Sequence, residues 1–124
     1  MSQFTAIPYT YTCEGNFKAH NTLYVFGTFT AAQLAGIQAK LEGGEFFIPP
    51  QVGMRALQNE LDIFPNEGDH VWHQLDTADF VESAQLPVGQ VAFATADEIF
   101  RRFSTVVWDV RLEYDRLGLD DIDD

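Results

Sequence analysis

Apolar residues change their spacing several times along this chain, and each change marks an element. Phe4 to Tyr11 is rich in aromatic residues and threonines, which suits a pleated, half-buried strand; Pro8 in its middle lacks an N–H and confines it to a sheet edge or a bulge. Asn21 to Phe29 is apolar on both faces, which predicts a strand covered on both sides and central in its sheet. Thr30 then carries the marks of a helix start. Thr30 with Gln33 makes a capping box, Phe29 and Leu34 hold the positions of a hydrophobic staple, and Ala31, Leu34, Ile37 and Leu41 recur at helical spacing up to Gly43-Gly44. Gly36 inside that helix costs about 1 kcal/mol relative to Ala, which points to close approach to the sheet.

Glu45 to Pro50 reads as extended, because each proline disfavours helix in the residue before it, and Gln51 to Leu61 as a short helix weakened by Gly53. Asp69 to Leu75 reads as a short strand. A second capping box, Thr95 with Glu98, opens a helix bearing Ile99, Phe100 and Phe103. Val106, Trp108, Val110, Leu112 and Tyr114 alternate with polar or exposed positions and predict a long strand. These elements imply an α+β fold: an antiparallel sheet of about four or five strands, with a main helix at about 31–42 and a shorter one at about 96–104 packed on it. Residues 1–119 form one domain and residues 120–124 an acidic C-terminal tail.

Composition fits that picture, with 46% hydrophobic residues, eleven of them Phe. No run approaches the roughly 20 apolar residues of a membrane helix, and the lone Cys13 fits a reducing compartment, so the expected location is the cytoplasm, a host's if the protein is phage-encoded. Charge changes the picture more. The net charge is −12, and residues 56–100 hold nine acids and no Lys or Arg. Such a field repels nucleic-acid phosphates and anionic lipid and favours basic partners.

The candidate chemistry sits in Asp69-His70-Val71-Trp72-His73-Gln74-Leu75. On a strand, His70, Trp72 and Gln74 face one side while Val71, His73 and Leu75 face the other, which makes His73 a core residue and Asp69, His70 and Trp72 a candidate polar site. Two histidines three apart on a strand diverge, so no metal site and no cofactor is expected. Motifs for nucleophilic catalysis and phosphate binding are absent. Aromatic residues Phe17, Tyr24, Phe26 and Phe29 lack the basic groove that base stacking needs.

The segments Phe46-Phe47-Ile48-Pro49-Pro50-Gln51-Val52-Gly53 and Asp69-His70-Val71-Trp72-His73 resemble a pattern found in small uncharacterised proteins of bacteria and their phages, over roughly residues 9 to 75. The resemblance implies a bacterial or phage origin and carries over no catalytic residue.

The expected function is that of a non-enzymatic acidic protein that binds a basic, nucleic-acid-binding protein surface. In its sharpest form it is a phage-type inhibitor standing in for nucleic acid, in the manner of anti-CRISPR or anti-restriction proteins. The expected binding residues are Glu60, Glu67, Asp76, Asp79, Glu82, Asp120, Asp121, Asp123 and Asp124. The alternatives are a small metal-dependent or acid–base enzyme centred on Asp69 and His70, and a structural homodimer.

Overall fold

A computed structural model describes residues 3–12, 18–58 and 70–117. The fold is α+β: one mixed sheet and, among the described residues, three α-helices. Strands β1 (Phe4–Thr12) and β2 (Lys18–Phe26) pair antiparallel along their full length, from Phe4 opposite Phe26 to Thr12 opposite Lys18. Helix α1 (Ala31–Lys40) follows, then the two-residue strand β3 (Phe46–Phe47), a 3-10 turn at Pro49–Val52, β4 (His73–Gln74), a second 3-10 turn at Thr77–Asp79, β5 (Val81–Ser83), β6 (Ala92–Thr95), α2 (Ala96–Thr105) and α3 (Val110–Leu117). The strand order is β3-β4-β1-β2-β6, with β5 also on β1. Among the described residues the sheet has six strands rather than four or five, and it is not purely antiparallel: β6 runs parallel to β2.

β2 lies between β1 and β6, so it is central as expected, but it runs from Lys18 to Phe26 rather than from Asn21 to Phe29 and is not covered on both faces, since Phe26 is 51% exposed. Pro8 explains how β1 can be interior too. Beyond β2, the other edge of β1 is shared: β5 pairs with Phe4 to Ala6, β4 pairs at Thr10, and Pro8 stands in the gap between them. A residue without a donor sits where the neighbouring ladder is interrupted.

One face of the sheet builds the core. Thr5, Ile7, Tyr9 and Tyr11 alternate inward along β1 and meet Val25, Ile37, Phe47, Leu57, Ile99 and Phe103. Each such aliphatic or aromatic side chain taken from water contributes roughly 1.5–3 kcal/mol. Helix α1 begins as expected: Gln33 N–H donates to Thr30 Oγ1 at 3.1 Å and Thr30 N–H to Gln33 Oε1 at 2.9 Å. It ends at Lys40, because Leu41 is extended. Helix α2 has only half of its box. Thr95 accepts from Glu98 N–H, but the Glu98 carboxylate turns to Arg102 instead. Gly36 marks close approach to α2, not to the sheet; a Cβ there would stand 3.1 Å from the Phe100 ring.

Three further expectations give way. Of Glu45 to Pro50 only Phe46 to Ile48 is extended, because Glu45 closes a turn and Pro49 opens a 3-10 turn, at a position where no N–H is needed. That turn closes at Gly53, with φ of 77°, and residues 54–57 after it have no regular structure in place of the expected helix. The long strand at Val106 to Tyr114 is instead an irregular stretch followed by α3. Asp109 decides this, accepting the Leu112 N–H at 3.0 Å as a helix cap, and charges spaced three and four apart then suit a helix better than a strand. Trp108, just before the cap, is held by its Nε1–H, which donates to the Lys40 carbonyl at the end of α1. Cys13, Phe17 and the acidic tail at 120–124 lie outside the described residues.

Candidate functional site

The strand expected at Asp69 to Leu75 is regular only at His73 and Gln74, yet its burial alternates as expected. Val71, His73 and Leu75 are buried and His70, Trp72 and Gln74 are partly exposed. His73 is fully buried among the rings of Tyr9, Tyr11 and Phe47. Its Nε2 accepts the Leu57 N–H at 3.0 Å, which leaves the ring proton on Nδ1 to donate to the Val71 carbonyl at 3.1 Å. Burial drives its pKa down to about 3, and the neighbouring His70 and Arg116 push the same way against the Val71 hydrogen bond.

His70 is equally committed. Its Nδ1 accepts the Trp72 N–H at 3.1 Å, so its Nε2–H donates to the Thr12 carbonyl at 2.9 Å, and Tyr11 Oη–H donates to the His70 carbonyl. With both nitrogens of each ring bound to backbone, neither histidine offers a lone pair to a metal or a free nitrogen for proton transfer. The segment is a clamp. Together with Tyr9, whose hydroxyl donates to the Arg55 carbonyl, it satisfies backbone groups of residues 55–57, where no helix or strand does so. Trp72 meets Trp108 edge to face at 6.5 Å, and with Thr12, Phe46, His70 and Gln74 it lines a hollow of about 250 Å³. Asp69 lies outside the described residues, as do Glu60, Glu67, Asp120, Asp121, Asp123 and Asp124.

Of the expected acidic surface, Asp76, Asp79 and Glu82 are described, and all three are exposed. The structure brings Asp76 and Asp79 together with Glu45, which the sequence reading left out. These three carboxylates line a shallow concavity of about 310 Å³ beside Pro8, facing Thr10, Lys18 and His20 on β1 and β2. Glu45 reaches it because β3 pairs with β4, and Gln74 Nε2–H donates to its carboxylate at 3.3 Å. Asp76 is fixed as the cap of the Thr77–Asp79 turn, accepting the Ala78 N–H. None of the three makes an ion pair among the described residues, where the ion pairs are Glu98 with Arg102 and Glu113 with Arg116. Thr10 Oγ1 and His20 Nδ1 are 3.0 Å apart on the opposite wall.

All seven bases and ten of the nineteen acids lie in the described residues; the other nine acids fall in segments 13–17, 59–69 and 118–124. Among the described residues no group of three or more His, Cys, Asp or Glu is placed to hold a metal, and no helix is long and apolar enough to cross a membrane.

A third hollow, about 560 Å³, lies between the Pro49–Val52 turn and α3. Its floor is Glu113, buried to 2% exposure and paired with Arg116. Spacing of i and i+3 was the available signal for this pair, masked by the alternation that favoured a strand. The chain matches no protein-family model, no curated protein and no solved structure.

Proposed function

We propose that this protein is a non-catalytic binding protein that presents a carboxylate-lined concavity to a basic surface of another protein. The observation that carries this reading is the convergence of Glu45, Asp76 and Asp79, exposed and without ion pairs among the described residues, at one depression that opens over β4, β1 and β2. A lone carboxylate in water gains little from one partner charge, but several fixed acids together steer a basic surface and set its orientation. In sequence, Asp76 and Asp79 belong to the run of residues 56–100 that holds nine acids and no Lys or Arg. In the sharpest form of the reading the basic surface is one that binds nucleic acid, and the protein occupies it in the way anti-restriction and anti-CRISPR inhibitors do.

The committed nitrogens of His70 and His73 speak against the enzyme alternative centred on Asp69 and His70. The test is capture on the immobilised protein across about 50–300 mM salt, a range over which exposed charges are progressively screened. The bound partner should elute within it, should be displaced by duplex DNA or RNA, and should associate at least about tenfold more slowly with the variant Glu45→Gln, Asp76→Asn, Asp79→Asn, Glu82→Gln. Salt-insensitive capture, or undiminished association by that variant, would falsify the reading.

A further inference from the structure

Two hollows meet at one side chain. The carboxylate concavity and the smaller hollow beside Trp72 share Gln74 as a common wall. Thr10, Gln74 and Phe46 stand opposite one another on the paired strands β1, β4 and β3, so they turn to the same side of the sheet, and both hollows open there. Their linings differ. Around the concavity stand Glu45, Asp76 and Asp79, whereas the smaller hollow has the rings of Phe46, Trp72 and His70. Among the described residues no Lys or Arg lines it, and its imidazole has both nitrogens bound to backbone. Phe46 and Trp72 are each partly exposed. Glu45 precedes Phe46 in the chain, and its carboxylate takes a hydrogen bond from Gln74 Nε2 at 3.3 Å, which sets a negative charge at the wall the two hollows share. Gln74 is itself fixed, since its Oε1 accepts from the Thr12 hydroxyl at 3.2 Å.

We infer that the aromatic hollow receives an arginine side chain of the basic partner, its guanidinium laid against the Trp72 ring and donating to the Glu45 carboxylate. The inference rests on the reading of the neighbouring concavity as a seat for a basic surface. Two chemistries side by side select the occupant. An aromatic face is negative through its quadrupole and attracts a cation within about 6 Å of the ring centre, most strongly for Trp. A carboxylate beside that face accepts from the edge of a planar guanidinium, which can stack and donate at once. Lysine fits less well, because an ammonium is a compact, strongly hydrated charge with no flat face to lay on a ring. An uncharged apolar side chain would cover the rings but strip water from Glu45 without replacing it. At about 250 Å³ the hollow takes one long side chain and excludes a helix, which is roughly 10 Å across. Other cations of the same surface then face Asp76 and Asp79, so the concavity attracts the partner and the hollow fixes its register.

Fluorescence anisotropy of labelled nona-arginine and nona-lysine peptides with the full chain, at about 50 and 300 mM salt, tests this. Nona-arginine should bind at least about fivefold more tightly than nona-lysine. Trp72→Leu should remove most of that preference while changing nona-lysine binding by less than about twofold, and Trp72→Phe should restore part of it. Trp72 packs on Trp108, so circular dichroism and cooperative melting verify each fold; should both variants fail to fold, Phe46→Leu, at a partly exposed ring, decides alone. In nitrogen–proton correlation spectra nona-arginine should shift the indole N–H peak of Trp72 and leave in place that of Trp108, which donates to the Lys40 carbonyl. Equal, salt-sensitive binding of both peptides, or an arginine preference that survives Trp72→Leu, overturns this inference and leaves the concavity reading standing. Salt-insensitive binding, or binding of neither peptide, overturns both.

Discussion

Acid should destabilise this protein through one residue. His73 is neutral in the fold down to a pKa of about 3, against about 6.5 in the unfolded chain, so between those values the unfolded state binds the additional proton. Stability from this site is therefore complete above pH 6.5 and falls as pH falls, by about 1.4 kcal/mol per unit. From pH 7.5 to 4.5 the loss is about 3 kcal/mol, a large part of the roughly 5–15 kcal/mol that holds a domain folded. Acid acts on the rest of the protein as well, so the decisive quantity is a difference. His73→Leu keeps the volume and removes the proton site; it leaves the Leu57 N–H and the Val71 carbonyl without partners and should cost about 2–4 kcal/mol at pH 7.5. Urea titrations of both proteins at four pH values give each free energy, and the gap between wild type and variant should shrink by about 3 kcal/mol by pH 4.5. Parallel pH profiles would show that His73 is protonated in the fold and that the buried-clamp account is wrong.

Two further outcomes follow from local geometry. Thr30→Ala removes the hydroxyl that accepts the Gln33 N–H and should lower stability by about 1 kcal/mol, read as a shifted urea midpoint at constant slope. Gly53→Ala forces a side chain into a φ of 77°, with its Cβ against the Arg102 guanidinium that donates to the Val52 carbonyl, and should cost about 2 kcal/mol; a loss under about 0.5 kcal/mol would mean that the turn relaxes freely.

The elements most legible in the sequence were those whose signals are local. Thr30 and Gln33 lie in one turn and satisfy each other, and Val71, His73 and Leu75 needed only the two-residue period to be placed inward. The order of the sheet was not legible, because nothing local to β1 says that β4 and β5 share its far edge, although Pro8 marked the gap between them. At Val106 to Tyr114 alternation competed with a cap, and Asp109 prevailed because one side-chain hydrogen bond to Leu112 starts a helix whatever the apolar period. The acidic concavity was half legible. Asp76 and Asp79 are near in sequence, but Glu45 joins them only through the short β3–β4 pairing. The chemistry assigned to His70 failed for a related reason: sequence shows a histidine's identity, whereas Thr12 and Trp72, which occupy its nitrogens, become its neighbours only in the fold.

The interrupted edge of β1 also bears on how the chain comes off the ribosome. β1 and β2 can close as a hairpin early, but the strands that complete the far edge of β1 are made much later, a wait of seconds at about 5–20 residues per second. Throughout that interval the edge of β1 is a template for another nascent chain, backed by Ile7, Tyr9 and Tyr11 with no helix yet over them. Pro8 breaks the template at its centre, since a foreign strand laid along β1 meets a position that cannot donate. The same proline that the finished sheet accommodates in its gap leaves any strand laid along the unfinished edge one hydrogen bond short at its centre.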